Sequence, residues 1–244
     1  MPPKRIRIIV GVLTVVLTGL VVWRVFFLDE FRYAGTVEAT EVDVPARIAS
    51  VIATVDVKEG QDVAADAPLF HLAGEDIRLA GDLNERNYQR AKTLYDGGSM
   101  PQAEFDRLRF LREDSALKVR WLTIRAPLAG TVLNTYFEAG EMVGPGARVA
   151  TLADLSEVWT WVYVPQPVLA GLRLGSAVQG RLPEMPHKAF TGRLAEIREK
   201  AEFTPKNVQT REERTRLVYG IKVAFPNPER ILKPGMTIEV MLAH

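Results

Sequence analysis

The chain has 244 residues, of which 47% are hydrophobic and 25% are charged, so it holds enough apolar material for a buried core. Its formal net charge of +1 provides no field favouring nucleic acid, and no basic patch with interleaved aromatic residues occurs. The absence of cysteine excludes disulfides, thiolate catalysis and cysteine zinc sites. Only three histidines, His71, His187 and His244, are present to serve a metal cluster or a Ser-His-Asp triad.

The N-terminal segment has the pattern of a membrane anchor. Residues Ile8–Leu28 hold a single charge, Arg24, which lies near the far end where it can snorkel to the headgroups. As a helix, this segment would span roughly 30 Å, about one bilayer core. The basic residues before it are Lys4, Arg5 and Arg7. Because positive charge is retained on the cytoplasmic side, we expect residues 1–30 to form a cytoplasmic N-terminus and a signal anchor.

A cleaved signal peptide is the competing interpretation of the same segment. The apolar run is long for a signal peptide, and no clean Ala-x-Ala site follows it, which favours an uncleaved anchor. No second long apolar run occurs in the chain. The sequence therefore predicts a single-pass membrane protein with a large exported part.

Two similar stretches flank residues 76–122 at a constant offset of 80 residues. Ala49, Gly60, Val63, Ala67 and Leu72 recur as Ala129, Gly140, Val143, Ala147 and Leu152. Each stretch alternates apolar and polar residues and is rich in β-branched types, which predicts short strands with one buried face. Gly60 and Gly140 are expected to supply turns with positive φ, and the two halves together to form one small sandwich. A coincidental similarity of two β-hairpins is the alternative.

The residues between the two halves have a helical pattern. Leucines and alanines recur among charged residues from Ile77 to Leu94, and Gly97 and Gly98 then interrupt the pattern. Ser99 is a candidate N-cap for a second helical stretch that continues to Leu122. Two helices joined by a short glycine-bearing turn predict an antiparallel α-hairpin over residues 76–122.

The last third of the chain is predicted to be a small β-barrel. Val158–Val164 alternates aromatic and β-branched residues, and a short helix is expected from Gln166 to Leu174. Further strands are predicted at Ala177–Leu182, Phe190–Ile197, Leu217–Phe225 and Thr237–Leu242. Short strands at this spacing are typical of a barrel. The charged run from Glu202 to Arg216 is either a solvated face or a loop that contacts a partner.

Several of these stretches resemble the HlyD family of membrane fusion proteins, also called periplasmic adaptor subunits. Ile124–Val132 and Val57–Val63 are similar to the family's two lipoyl half-motifs, and Leu232–Met236 to its closing barrel motif. Ala201–Thr210 resembles the branch related to YbhG, which works with ABC-type exporters. Gly130 and Gly235 lie within these motifs and, with Gly60 and Gly140, are the expected structural turn glycines.

The resemblance implies a mainly β fold with an α-helical hairpin, divided into four parts. These are the N-terminal transmembrane helix in residues 1–30, a split lipoyl-like barrel-sandwich hybrid in 35–75 plus 123–155, the short α-hairpin in 76–122, and a β-barrel with a membrane-proximal region in 156–244. It also implies a bacterial inner-membrane location with most of the chain in the periplasm. The implied assembly is a homo-oligomeric ring, commonly a hexamer, between an inner-membrane transporter and an outer-membrane channel.

The family's hairpin tip carries residues that engage the outer-membrane channel. Arg90 and Leu94 match two of them, whereas Pro101 occupies the position of a family serine, and the hairpin is short for the family. A solvated arginine and a packing leucine are the alternative interpretations of Arg90 and Leu94. Docking to an outer-membrane channel is therefore left open by the sequence.

The sequence predicts a coupling subunit and no enzyme. It contains no Gly-x-Ser-x-Gly, no His-Glu-x-x-His, no phosphate loop and no lysine motif of a lipoyl carrier. No cofactor or metal is expected, and His71 is interpreted as a structural or surface histidine. The rival hypothesis is a membrane-tethered periplasmic protein that captures a small apolar ligand. The leading hypothesis is an adaptor for an efflux or secretion transporter, of the ABC type rather than proton-driven.

Overall fold

The computed structural model describes residues 32–203 and 217–242, so the predicted anchor at Ile8–Leu28 and most of the charged run lie outside the described residues. The strands are β1 Arg32–Pro45, β2 Ser50–Val55, β3 Asp62–Val63, β4 Pro68–Leu72, β5 Thr123–Arg125, β6 Gly130–Thr135, β7 Met142–Val143, β8 Arg148–Pro165, β9 Ala177–Arg181, β10 Ala189–Ile197, β11 Glu202–Phe203, β12 Leu217–Pro226 and β13 Thr237–Met241. The helices in this part of the chain are α1 Glu75–Asp96, α2 Gln102–Trp121 and α3 Gln166–Leu169. The predicted mainly β architecture is confirmed.

The described residues form two compact units. Residues 38–158 and 227–234 form the first, here called the sandwich unit, which includes α1 and α2. Residues 32–37, 159–203, 217–226 and 235–242 form the second, here called the barrel unit.

The internal repeat is confirmed in the sandwich unit. Strands β2, β3 and β4 of the first half recur, at the same 80-residue offset, as β6, β7 and the first five residues of β8. The helices α1 and α2 and strand β5 lie between the two halves. Because the alternation of apolar residues is the same in both halves, both fold into the same sequence of strands and turns.

Strands of one half of the repeat pair with strands of the other half. β2 pairs with β7, and β6 pairs with β3, both antiparallel. The Gly60 amide donates to the Val132 carbonyl at 2.7 Å, and the equivalent Gly140 amide donates to the Ile52 carbonyl at 2.8 Å. Neither half can satisfy these backbone groups alone, so the sandwich requires both.

The apolar faces of both halves meet in one core. Its members are Val44, Ala46, Ile52, Val57, Leu69, Phe70, Leu72, Leu122, Ile124, Ala126, Val132, Val143, Val149, Ala150 and Leu152. Leu72 and Leu152, which are equivalent in the repeat, are both 0% exposed. Burying such side chains stabilises the fold by about 2 kcal/mol each relative to leaving them in water.

The segment between β12 and β13 belongs to the sandwich unit, although the sequence places it in the C-terminal barrel region. Asn227 is buried, and its Nδ2 donates to the carbonyls of Leu155 at 3.0 Å and Leu232 at 2.8 Å. Its Oδ1 accepts from the Leu232 amide at 3.1 Å. Arg230 pairs with the Asp62 carboxylate. Asn227 thus satisfies backbone groups that would otherwise be buried without partners.

The barrel unit closes on itself. Its strands follow the order β12-β10-β9-β13-β1-β8, and β8 pairs in turn with β12, while β11 pairs with the other edge of β12. Phe225 lies at 0% exposure, and Gly180 and Gly192 leave the space that its ring occupies. A β-carbon at either glycine would lie 2.7 Å from the nearest atom of that ring, so a larger residue at these positions would displace Phe225.

The helix boundaries differ from the predicted ones in two respects. The short helix expected from Gln166 to Leu174 is the single turn α3, which ends at Leu169. Ser99 is the expected cap of the second helix, but α2 begins at Gln102, and the residue at its N-cap position is Pro101, whose side chain has no hydrogen-bonding group. Pro101 stands in extended backbone at φ −64° and ψ 144°, which suits proline. Within residues 32–203 and 217–242, no helix combines the length and apolar character needed to cross a bilayer.

Candidate docking surface on the helix pair

Helices α1 and α2 run antiparallel along a polar seam. The Arg112 Nε donates to the Glu85 Oε2 at 2.6 Å, and the same guanidinium lies 4.9 Å from the centre of the Tyr88 ring. The Phe105 ring stacks on Tyr88 and, with centroids 4.5 Å apart, on Tyr95. The seam is therefore held by aromatic stacking and one ion pair rather than by a leucine zipper.

Little of the helix pair is buried. In α1 the only buried residue is Ala91, and in α2 it is Ser115, whose hydroxyl donates to the Arg112 carbonyl at 3.0 Å. A helix with a normal apolar face would bury three or four large side chains over this length. Since the seam takes few apolar residues, the leucines of α1 have to lie elsewhere.

The leucines of α1 lie on its outer face. Leu79 is 67% exposed, Leu83 51% and Leu94 49%. At 100° per residue, these three fall with the exposed Arg86 and Arg90 in an arc of about 80°, on the side of α1 that faces away from the seam. This outer stripe, consisting of Leu79, Leu83, Arg86, Arg90 and Leu94, runs for about 22 Å along the helix.

Arg90 and Leu94 therefore lie together at the distal end of α1. The Arg90 Nη2 donates to the Asn87 Oδ1 of the same helix at 2.6 Å, which leaves most of its donors directed to solvent. One hypothesis makes Leu94 a packing residue, but half of its side chain is exposed. The turn that follows contains Gly98, at φ +71°. The two residues are thus available to a partner at the end of the helix pair.

Leu79 and Leu83 are surface residues that the sequence pattern does not reveal. The helical pattern contains them together with Ala91 without separating the faces, whereas in the structure Ala91 is buried and both leucines face solvent. The positions of these residues around the helix axis separate them. Ala91 lies about 120° from Leu79 around the helix, whereas Leu83 lies only about 40° from Leu79. Spacing alone does not say which of the two faces meets α2.

The hydrogen bonds of the seam lower the pKa of one carboxyl group, that of Glu85. Hydrogen bonds from Arg112 and then from Gln89 lower the pKa of the Glu85 carboxyl below its ordinary value. The Gln89 Nε2 donates to the Glu85 Oε1 at 2.7 Å. Both oxygens of this carboxylate are therefore engaged, and it stays ionised at neutral pH.

Three of the four expected turn glycines have left-handed backbone. Gly60 has φ +80°, Gly140 +95° and Gly235 +91°, a region that a residue with a β-carbon rarely adopts. Gly130 differs from the turn role expected of it, because it is the first residue of strand β6. A β-carbon at Gly130 would lie 2.5 Å from the Ala153 carbonyl oxygen, so the neighbouring strand, and not a turn, requires glycine there.

His71 is held by two neighbours in the sandwich unit. Its Nε2 lies 2.9 Å from the Asp56 Oδ2, and its Nδ1 lies 3.2 Å from the Thr123 hydroxyl. Within the described ranges, no group of three or more histidines and carboxylates is placed to hold a metal ion. These contacts are those of a structural histidine that links β4 to β5.

The two units match two known domain models. Residues 40–154 match the barrel-sandwich hybrid domain of CzcB-like proteins, and residues 157–244 match the β-barrel domain of CusB-like proteins. The fold thus defines a class of proteins in which a barrel-sandwich hybrid precedes a β-barrel.

Two curated relatives each match about half of this chain. A UPF0194 membrane protein of Acidithiobacillus ferridurans is 42% identical over 115 residues, which cover 47% of this chain and 34% of the relative. The UPF0194 membrane protein YbhG of Salmonella arizonae is 33% identical over 118 residues, covering 48% and 36%. The matched residues thus span about a third of the length of these relatives.

A chimera of MacA and MexA, which contains the α-hairpin domain of Pseudomonas aeruginosa MexA, has the same fold. The TM-score is 0.68 at 19% identity, over 88% of this chain and 81% of the chimera. The two domain matches and the YbhG relatives support the resemblance to the HlyD family of membrane fusion proteins and to its YbhG-like branch. The family resemblance of the sequence is thereby confirmed.

Proposed function

We propose that the chain is a periplasmic adaptor of an efflux or secretion system that couples an inner-membrane transporter to a conduit across the periplasm. The observation that carries this proposal is the outer stripe of α1, where three leucines and two arginines face solvent on a helix pair inserted between two β halves. An exposed apolar row of this length is characteristic of a surface that contacts another protein. The comparisons do not favour the alternative of a protein that captures a small ligand.

The proposed mechanism is mechanical rather than catalytic. The segment Ile8–Leu28 anchors the chain in the inner membrane as a single uncleaved helix, with the remainder in the periplasm. Copies of the chain assemble into a ring, a hexamer as in its family, through their sandwich units and helix pairs. The transporter, of the ABC type, supplies the energy by ATP hydrolysis.

The distal end of the helix pair is the proposed contact for a further periplasmic partner. Arg90 supplies donors and Leu94 an apolar side chain at this end, and an outer-membrane channel or another periplasmic protein receives them. Interfaces of this kind depend on a few partly buried apolar and arginine anchors. Pro101 in place of the family serine leaves this contact with fewer polar groups than the family's.

Cross-linking in native membranes tests the adaptor proposal. The full chain, purified after cross-linking, is expected to appear as a multiple of its own mass together with an ATPase and its permease. A chain recovered only as a monomer without a transporter would contradict the proposal. Recovery with a proton-driven transporter would contradict the ABC assignment while retaining the adaptor role.

Substitution of the outer stripe tests its part in assembly. The double variant Leu79→Ser and Leu83→Ser is expected to weaken the association of the chains by about thirty-fold, because each exposed leucine contributes about 1 kcal/mol when an interface covers it. Lys92→Ser is the matched control, since Lys92 is exposed on the same helix but outside the stripe. Equal cross-linking of both variants would show that the stripe is not an interface.

A further inference from the structure

The outward face of the barrel unit carries a row of aromatic residues. On β8, Val158, Thr160, Val162 and Val164 are buried at 0% exposure, and the residues between them are partly exposed. Because successive side chains of a strand point to opposite faces, these partly exposed residues share the outer face of the barrel. They are Trp159, Trp161 and Tyr163, here called the aromatic row.

Two cations lie over the aromatic row. The Lys222 Nζ is 4.0 Å from the centre of the Trp159 ring, and the Arg198 guanidinium carbon is 4.2 Å from the centre of the Trp161 ring. A β-carbon at Gly220 would lie 3.0 Å from the Arg198 Cδ and 3.5 Å from the Trp161 ring, so glycine lets this stack form. The face therefore combines amphipathic rings with long cationic side chains.

The charges of this face nearly cancel. Arg198 donates to the Glu202 Oε1 at 2.5 Å, and Glu196 acts on the same guanidinium electrostatically. A face with balanced charge and three amphipathic rings does not select a strongly acidic partner. It matches the headgroup region of a bilayer, where tryptophan and tyrosine concentrate because one end of each ring is apolar and the other is polar.

The register of β1 and β8 places the aromatic row beside the start of β1. The Thr160 hydroxyl donates to the Thr36 carbonyl at 2.9 Å, and Gly35 lies against the Trp161 carbonyl. Further along, the Thr151 hydroxyl donates to the Asp43 carboxylate, so the strands run antiparallel. By this register, Arg32 falls beside the last residues of β8, near Tyr163.

The start of β1 is also close to the proposed anchor. Only residues 29–31 separate Leu28 from Arg32, so a fully extended connection reaches about 14 Å. If Ile8–Leu28 crosses the bilayer, the strand end that adjoins Tyr163 is held within that distance of the membrane surface. The aromatic row spans about 13 Å of β8, from Trp159 to Tyr163, and therefore lies in reach of the headgroups.

We propose that the aromatic row lies in the phospholipid headgroup region and sets the barrel unit against the membrane surface. The proposal rests on the anchor of the proposed function. The partner is the phospholipid interface itself, recognised by the amphipathic tryptophan and tyrosine rings. The anchor alone would leave the barrel free to rotate about its connection, whereas this second contact orients it.

Quenching by brominated lipid tests the proposal on the full chain. Trp23→Phe and Trp121→Phe leave only Trp159 and Trp161 as emitters, and the chain is reconstituted into phosphatidylcholine liposomes with bromine near the headgroups. Emission is expected to fall by about two-fold or more relative to unbrominated lipid, and to stay reduced at about 0.5 M salt, because the contact is interfacial rather than ionic.

A control emitter can be placed on the far side of the barrel. Gln179 is exposed on β9, which stands three strands from β8 in the closed order in either direction. A chain with all four tryptophans changed to phenylalanine and with Gln179→Trp is expected to show no quenching. Circular dichroism of each variant establishes that the strands are retained.

Each outcome bears on a separate claim. Unquenched emission from a chain that floats with the liposomes would overturn the headgroup contact while leaving the anchor and the adaptor role intact. Unquenched emission that becomes protected from acrylamide only when the transporter is added would show that the face docks on protein instead. A chain that does not float with the liposomes would overturn the anchor and, with it, this inference.

Discussion

The sandwich core and the helix pair are stabilised in opposite ways. In the sandwich unit, leucines equivalent in the repeat, Leu72 and Leu152, are fully buried and the strands of both halves complete each other. In the helix pair, Leu79 and Leu83 face solvent while Glu85 and Arg112 occupy the seam. The sandwich thus holds itself together, and the helix pair keeps its apolar side chains for contacts outside the chain.

The same residue type, leucine, therefore has different roles in the sandwich core and in the helix pair. A leucine in the core contributes through burial within the chain, and a leucine on α1 contributes only when another molecule covers it. Substitutions that are matched in residue type but placed in the two regions therefore separate folding from assembly.

The largest effect on stability is expected from Leu152→Ala. Leu152 is 0% exposed in the sandwich core, so its truncation should lower the free energy of unfolding by about 3 kcal/mol through lost burial and a residual cavity. Leu79→Ala, at 67% exposure, should change it by less than about 0.5 kcal/mol. Urea unfolding of the two variants measures the difference, and equal losses would contradict the assigned roles of core and stripe.

Gly140→Val is expected to have the next largest effect. Gly140 has φ +95° with open space around it, so the cost is that of forcing a β-branched residue into left-handed backbone, about 1–2 kcal/mol. Gly144 also has open space but no positive φ, and Gly144→Val serves as the control with a smaller loss. The measurement is the midpoint of thermal unfolding. A midpoint unchanged by Gly140→Val would refute the requirement for left-handed backbone.

Phe105→Ala should loosen the helix pair without unfolding the sandwich. The ring stacks on Tyr88 and Tyr95, and losing both contacts should cost about 1 kcal/mol within the pair. Phe110→Ala on the same helix, at 65% exposure, is the matched control and should be near neutral. Hydrogen exchange of α1 and α2 amides reports the opening. Faster exchange in the Phe110 variant than in the Phe105 variant would contradict the placement of Phe105 in the seam between α1 and α2.

The smallest effect is expected from Glu85→Gln, and it should depend on pH. Because the pKa of Glu85 is lowered in the folded chain, its ionised form contributes stability that is present above the ordinary carboxyl pKa of about 4 and is lost as pH falls through the folded value. The gap in melting temperature between wild type and Glu85→Gln should therefore exist at pH 7 and close toward pH 3. Glu184→Gln, an exposed change in the barrel unit, is the control. A gap that widens in acid would contradict the Glu85–Arg112 contact.

Much of the fold could be predicted from the sequence because the relevant signals are local. The alternation of β-branched and aromatic residues predicted both ends of β9, β10, β12 and β13 to within one residue. The 80-residue repeat located the strands of both sandwich halves. Left-handed turns at Gly60 and Gly140 follow from the glycine positions after such strands. These features depend on the side-chain period of a strand and on backbone sterics, which a sequence displays directly.

Other features were decided only by the tertiary structure. The face of α1 that meets α2 depends on which side chains α2 presents, so the solvent exposure of Leu79, Leu83 and Leu94 could not be predicted from spacing. The need for glycine at position 130 comes from the Ala153 carbonyl of a neighbouring strand, which lies 23 residues away in the chain. The outer face of β8 acquires its cations from Arg198 and Lys222, which reach it only when β8 and β12 pair. The sequence by itself thus determined the strands, the repeat and the family, because these are patterns along the chain, whereas the surfaces available to partners were decided by contacts between residues distant in sequence.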